Sequence, residues 1–590
     1  MAEIVLTTVN AKYIHAAFGL RYLMANLGPL KTRACILEFD INQRPLDVAE
    51  ALLSSDPKII GFGVYIWNVA STTEVVAAIK RVRPEVIVIL GGPEVSYETE
   101  TQPIVQLADY VITGEADLKF AELCQLLLAG GARTFLSAEM PSHTRARKLI
   151  ENGGSPSAAA DRKVRAPKFL PAELPDFSQL VLPYDLYDDQ DIAHRVIYVE
   201  ASRGCPFTCE FCLSSLDIPV RQAPLPSFLE HLQRLLDRGV KQFKFVDRTF
   251  NLNVNVSRTI LEFLLERYQS GHFFHFEMIP DRLPQGLREI IARFPPGSLQ
   301  FEVGIQTFNE EVAALIKRRQ NYQRLEENLQ FLRARTGVYV HADLIAGLPG
   351  ESLDSFGVGF DRLVGLRPHE IQVGILKRLR GTPIVRHDVE WQMVYNPQPP
   401  YEILQTKLID FPAMQKLRRF ARYWDLVGNS GNFVETTSLI WGDQKTPSGT
   451  SAELHLQSSV ADQEGPSAKS PFQSFMRWSE WLHARVGRTD SIALPRLMEF
   501  LFDYLTGELK LDRQYAARKL WSDYQRGDRR DIPNFLRGYL EPDPHPGVLP
   551  LPKGEGRPSS VAALRRVEGE GKHGGRTKGG IPKRQRRHLV

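Results

Sequence analysis

Cysteine is scarce in this 590-residue chain: there are five, and three of them, Cys205, Cys209 and Cys212, fall within eight residues. So few and so bunched, they argue against a disulfide framework and for a metal site in reducing surroundings. Long apolar runs are also missing. None approaches the roughly 18 residues that cross a bilayer, which predicts no membrane partner. The opening Met1-Ala2-Glu3 leads straight into an alternating stretch rather than a basic and then apolar leader, so a cytoplasmic location is expected. No charge sign dominates: 73 Lys and Arg face 69 Asp and Glu, for a net +4. Residues 551–590 carry 11 Lys and Arg against 3 Glu, which leaves the preceding 550 residues mildly acidic at −4. That tail is rich in Gly and Arg, lacks apolar periodicity and is expected to be disordered. A solvated extension is the preferred reading of it, with weak, sequence-independent RNA contact as the alternative.

What is present is an α/β rhythm. Strand-like Glu3–Val9, Arg33–Glu38, Lys58–Ile66, Val86–Leu90 and Asp109–Ile112 alternate with helical Ala16–Asn26, Pro45–Ser54, Thr72–Val82 and Leu118–Leu128. This predicts a doubly wound, Rossmann-like (flavodoxin-like) domain over 1–136. Ligands of such sheets sit beyond the carboxyl ends of the strands, which here carry Gly61-Phe62-Gly63, Gly91-Gly92-Pro93-Glu94 and Thr113-Gly114-Glu115. Residues 137–184, with Gly, Pro and scattered basic residues, are expected to be a linker.

A second series runs through 185–390. Its strands are Val196–Ser202, Gln242–Asp247, Phe274–Ile279, Leu299–Gln306, Tyr339–Leu348 and Glu370–Leu376, with helical patterns between them. Six βα units suggest a partial TIM-type barrel. Over 391–545 a helical domain is expected, with helices at Tyr401–Tyr423, Pro471–Val486 and Leu494–Tyr524 and a polar loop at Gln444–Pro471. The basic tail is placed at 546–590.

The cysteines stand at the end of the first barrel strand, in Glu200-Ala-Ser-Arg-Gly-Cys205-Pro-Phe-Thr-Cys209-Glu-Phe-Cys212. Barrel enzymes keep their active sites at that end. Gaps of three and two residues let one loop hold three corners of a four-iron, four-sulfur (4Fe-4S) cluster through soft thiolates. Three ligands leave one iron open to chelate the amino and carboxylate groups of S-adenosylmethionine. Structural zinc is disfavoured because it takes four ligands and no second Cys/His pair lies nearby. Cys35 and Cys124 lie in an apolar strand and an amphipathic helix, as core residues do.

With this loop at the mouth of a six-unit βα series, the sequence resembles the radical S-adenosylmethionine superfamily, and the preceding domain resembles the cobalamin-binding domain found within it. The stretch from Glu370 through Thr382 resembles an uncharacterised subfamily with a helical C-terminal domain. The resemblance implies reductive cleavage to a 5′-deoxyadenosyl radical, and methyl transfer from cobalamin to an unactivated carbon of a small-molecule or natural-product substrate. It also implies an external electron donor such as flavodoxin or ferredoxin. Rearrangement or cyclisation without methylation is the enzymatic alternative, and a non-catalytic corrinoid-binding regulator or electron carrier the other. By the same resemblance Phe211, Val246 and Asp247, Glu302 and Gln306, and Ile345 and Gly347 contact S-adenosylmethionine. Tyr65, Trp67, Asn68, Gly91, Gly92, Pro93, Glu94, Gly114 and Glu115 would line the corrin face. His15 departs from the histidine pattern of cobalt-ligating relatives and is not expected to be an axial ligand.

Overall fold

A computed structural model describes residues 2–129, 168–217, 219–442, 469–527 and 529–540. The chain divides into two compact units, Met1–Arg418 and Arg419–Val590.

The first unit opens with a six-stranded parallel sheet, in spatial order β2 (Ala34–Asp40), β1 (Ile4–Asn10), β3 (Ile59–Gly63), β4 (Ile87–Gly91), β5 (Tyr110–Thr113) and β6 (Lys168–Pro171). Every residue of β1 is buried, which requires helices on both faces. On one face α1 (Phe18–Ala25) and α5 (Lys119–Leu128) pack Leu20, Met24, Phe120 and Cys124 against Ile4 and Leu6. On the other, α2 (Pro45–Leu53), α3 (Val69–Val82) and the short α4 (Pro103–Leu107) pack Val48, Leu52, Val75, Ile79 and Ile104 against Val5, Ile60 and Val88. Chain order reverses between β1 and β3, and a crevice opens at their carboxyl ends.

One strand lies inside the stretch assigned to the linker. β6 pairs in parallel with β5, Tyr110 opposite Lys168. Four residues are too few for an alternating pattern to stand out among the basic and proline residues around them.

After α6 (Asp189–His194) a second six-stranded parallel sheet follows in chain order: β7 (Ile197–Val199), β10 (Gln242–Phe245), β11 (Phe273–Met278), β12 (Leu299–Gln306), β13 (Tyr339–Ala346) and β14 (Glu370–Ile375). The first and last strands do not pair, so the barrel is partial. Helices α7 (Leu225–Asp237), α8 (Val254–Glu266), α9 (Gln285–Ile291), α10 (Glu310–Leu315) with α11 (Tyr322–Arg335), and α12 (Leu353–Leu366) separate the strands. Strand alternation sorts the two faces. Phe243, Phe245, Phe274, Phe276 and Phe301 are buried in one apolar layer, with Phe245 and Phe276 stacked at 4.4 Å. Lys244, His275, Glu277, Glu302, His341 and Asp343 alternate with them and make the other face polar. A two-stranded clip, β8 (Ser202–Arg203) with β9 (Arg221–Gln222), brackets the cysteine loop.

Past β14, residues 394–395 (β15) and Ile403–Gln405 (β16) pair antiparallel before α13 (Phe411–Val427), within which the two units divide. The helix expected from Tyr401 therefore starts ten residues later. Asp410 accepts the Ala413 amide at 2.9 Å and Pro412 stands in the first turn. In the second unit, α14 (Pro471–Val486) buries Trp478 against Phe475. The single amphipathic stretch expected over Leu494–Tyr524 is broken into α15 (Leu494–Asp503), a π turn at Tyr504–Glu508, a left-handed Lys510, and α16 (Arg513–Gln525) capped by Asp512. Gly507 and Asp512 are the local breakers. The polar loop from Gln444 lies, up to residue 468, outside the described residues, as does the basic tail.

Candidate active site

The cysteine loop is fastened before it does any chemistry. Gly204 has φ +89°, and a Cβ there would meet the Asp217 and Pro219 carbonyl oxygens at 2.8 and 2.9 Å, so only glycine fits. The Cys205 amide donates to the Asp217 carbonyl at 3.0 Å, and the Cys212 amide to the Cys209 carbonyl at 3.2 Å. Between the second and third cysteines, Glu210 is 1% exposed and is gripped by His387 at 2.8 Å, Arg386 at 2.9 Å and Lys317 at 3.1 Å. Its own amide donates to the Ile316 carbonyl, and its carbonyl accepts from the Ile384 amide.

All three thiols line one cavity at the carboxyl ends of the second sheet. They are unpaired, and burial together with the neighbouring Cys212 and Cys209 pushes the Cys205 thiol up. Iron would relieve that crowding. Among the described residues no three His, Cys, Asp or Glu side chains converge on a single ion position. A cubane asks for something different, one thiolate on each of three irons, and a shared cavity wall meets that requirement. Arg318 reaches 3.7 Å from the Cys209 sulfur and donates to the Gly304 carbonyl.

Phe211, Glu302 and Gln306 line this cavity; Val246, Asp247, Ile345 and Gly347 do not. Asp247 is 2% exposed and accepts from Ser202 Oγ at 2.6 Å and the Ala201 amide at 3.1 Å, so it ties the first two strand ends together. Burial pushes its acid up to about 7. Gly347 has φ +88°, and a Cβ there would stand 2.6 Å from Ile403 rather than over the cavity. Residues that the motifs did not single out complete the lining: Arg248, Glu277, Met278, Arg318 and Arg319. For Glu277 a signal existed, since a carboxylate between Phe276 and Met278 in an apolar strand needs a polar partner.

That partner is Arg248 at 3.1 Å. Glu302 takes His275 at 3.0 Å and Lys244 at 3.6 Å. Burial opposes ionisation of Glu302, but the His275 hydrogen bond and the Lys244 charge outweigh it and hold the carboxyl below its usual range. One strand on, His341 stands between Asp343 at 3.1 Å and Glu370 at 3.4 Å. Burial works against its charge, yet the two carboxylates raise its pKa to about 9.

The first sheet has its own cavity, in the crevice at its carboxyl ends. Tyr65, Gly91, Gly92 and Gly114 line it, along with Gly61, Gly63, Phe120 and Asp117. Glycines at the strand ends expose backbone in its wall, as the approach of a broad, flat ligand requires. Trp67 stacks on Tyr65 at 4.5 Å but lies outside the lining, and Pro93 begins a short turn beside it. Asn68, Glu94 and Glu115 also lie outside this lining, and their side chains have protein partners. Asn68 donates to Thr8 Oγ1, the Val9 carbonyl and the Gly63 carbonyl. Glu94 binds Arg380 at 2.8 Å and Tyr401 at 2.6 Å, and Glu115 binds Arg203 at 3.0 Å and also Arg221. His15 hydrogen-bonds Tyr198 at 2.6 Å.

Comparison with known families matches residues 4–124 to the B12 binding domain and 199–358 to the radical SAM superfamily. The chain thus carries a B12-binding domain followed by a radical SAM domain. Residues 389–450 of this radical SAM chain match a family described only as a protein of unknown function (DUF4080). It is 29% identical over 217 residues to an uncharacterized methyltransferase of Pyrococcus horikoshii, covering 35% of this chain and 43% of that one. To the 2-(S-pantetheinyl)-carbapenam-3-carboxylate methyltransferase of Streptantibioticus cattleyicolor it is 22% identical over 338 residues, covering 54% and 46%. The radical SAM chain thus spans less than half the length of these relatives. Among solved structures, the radical S-adenosylmethionine methyltransferase TsrM of Kitasatospora setae, with cobalamin and a [4Fe-4S] cluster bound, aligns at TM-score 0.47 and 17% identity over 65% of this chain and 74% of that one.

Proposed function

We propose that this chain is a cobalamin-dependent radical SAM enzyme that transfers a methyl group to a small-molecule substrate. The observation that carries the reading is the joint one: three unpaired thiols of one loop share a cavity wall, and a second, glycine-floored cavity lies in a domain of the B12-binding family. When bound, the cluster, S-adenosylmethionine and cobalamin supply one-electron cleavage and methyl transfer, which no side chain can perform.

The chain's own residues position and shield. Cys205, Cys209 and Cys212 would hold the cluster as its thiolate ligands. Phe211 offers a flat apolar face to the adenine, and Glu302 and Gln306 offer polar groups to the ribose and carboxylate. Arg248 and Arg318 bring positive charge to a cavity that also takes up a carboxylate, and Glu277 and Asp343 bring negative charge for an ammonium. A small acidic electron carrier is the expected reductant. Among the described residues no helix is long and apolar enough to cross a membrane.

The test is anaerobic. Purified chain is reconstituted with iron, sulfide and hydroxocobalamin, reduced, and supplied with S-adenosylmethionine. Release of 5′-deoxyadenosine is expected, with S-adenosylhomocysteine rising alongside it once substrate is present. A reconstituted, reduced sample that forms neither compound sinks the reading, and 5′-deoxyadenosine without S-adenosylhomocysteine in the presence of substrate moves it to rearrangement or cyclisation.

A further inference from the structure

Arg203 lines the cavity of the first sheet and stands two residues before Cys205, so one residue joins that cavity's wall to the start of the cysteine loop. Its guanidinium makes three salt bridges: Nε to Glu200 at 2.8 Å, and Nη1 to Glu115 and to Asp117, each at 3.0 Å. It lies over the Tyr22 ring at 4.2 Å. Its strand partner Arg221 takes the other side of Glu115 and reaches Asp217 at 2.8 Å, the residue whose carbonyl receives the Cys205 amide. A continuous ionic chain therefore runs from Asp117, in the wall of the first cavity, to Asp217, whose backbone carbonyl accepts the Cys205 amide.

We infer that Arg203 is a positioning residue that couples ligand binding in the B12-domain cavity to the geometry of the cluster loop. The inference rests on the two-cofactor reading above. Asp117 and Arg203 both face that cavity, so a ligand filling it meets the same fork that sets the path of residues 203–205. Whatever the ligand adds to or takes from the fork's partners is felt at Cys205. Such coupling is reciprocal: if cobalamin biases the loop, cluster loading must change cobalamin affinity by the same factor. A rigid planar fork with three anionic partners transmits a displacement that a flexible ammonium does not, which makes Arg203→Lys the informative substitution.

The experiment measures the dissociation constant of hydroxocobalamin, by anaerobic absorbance titration, for cluster-free and cluster-loaded full-length chain. It also records the electron paramagnetic resonance spectrum of the reduced cluster with and without cobalamin. In the parent, the two dissociation constants are expected to differ by about five-fold or more, within the usual range of allosteric coupling, and cobalamin to shift the cluster spectrum. In Arg203→Lys, and independently in Asp117→Asn, which leaves the cysteine loop's own sequence untouched, the ratio is expected to fall towards one and the spectral shift to vanish. Iron content and thermal unfolding identify any variant that fails to fold, and Asp117→Asn then decides. Equal dissociation constants in the parent, or a ratio and spectral shift retained in both variants, overturn the inference. Absence of any cobalamin binding to the parent instead overturns the two-cofactor reading beneath it.

Discussion

The two cavities of the first unit are built on opposite plans. The one in the first sheet is shaped by what is missing: glycines at the strand ends leave backbone where side chains would stand. The one in the second sheet is shaped by what is added, three thiols and a ring of paired charges. The first plan suits a large, flat ligand held by area and shape. The second suits a small, charged ligand that must be oriented to the atom. Sequence patterns report the second plan far more sharply than the first, because a cysteine spacing is specific and a strand-end glycine is common.

Breaking the thiol plan is expected to have the largest effect. Substituting any one of Cys205, Cys209 or Cys212 by Ala removes the cluster's broad visible absorbance after reconstitution and abolishes 5′-deoxyadenosine release, while cobalamin binding in the first sheet persists. A variant that retains three-quarters or more of the iron and full cleavage contradicts the assigned ligand set. Breaking the glycine plan comes next. Gly92 has φ +107°, and a Cβ there would stand 2.5 Å from the Val64 carbonyl. Gly92→Ala is therefore expected to destabilise the first sheet by about 1–3 kcal/mol and to weaken cobalamin binding at least ten-fold, read by chemical denaturation and absorbance titration, with cluster loading unchanged.

The charge ring of the second cavity gives a pH prediction. The folded pKa of His341, about 9, lies above its unfolded value near 6.5. Its stabilising contribution is fully present below pH 6.5 and is lost as pH rises through 9. Stability of the parent is therefore expected to fall across that window by up to about 3 kcal/mol. His341→Gln should flatten the slope, and an unchanged slope in the variant rules out the assignment. The smallest effect is expected at Trp67, which is 43% exposed and touches the first cavity only through its stack on Tyr65. Trp67→Ala costs about 0.5–1.5 kcal/mol and leaves cobalamin affinity within a factor of about three.

The strands of the second sheet were legible because they alternate over three to eight residues and are set off by helical patterns. β6 was not, since Lys168–Pro171 is short and gains its identity only from pairing with β5. The start of α13 was misplaced for a similar reason: the residues before Asp410 are apolar enough to extend a helical pattern, but tertiary pairing claims Ile403–Gln405 for a strand. In the site, the cysteines were singled out by spacing alone, and the structure places all three on one cavity. Arg248 and Arg318 were not, because a lone arginine just past a strand or a helix carries no periodic signature. Asn68, Glu94 and Glu115 were expected at the ligand by the resemblance to the cobalamin-binding domain, and the structure places all three outside the cavity's lining. Each is used to hold a loop, and that use depends on residues up to 307 positions away.

The grip on Glu210 bears on how the chain meets oxygen. Arg386, Lys317 and His387 hold this one buried carboxylate, and two backbone hydrogen bonds flank it, all of them contacts between protein groups. The segment carrying the second and third cysteines therefore keeps its shape when the irons are lost. Damage by air then amounts to emptying a mould that still stands, and repair needs only iron, sulfide and reductant, without a round of refolding.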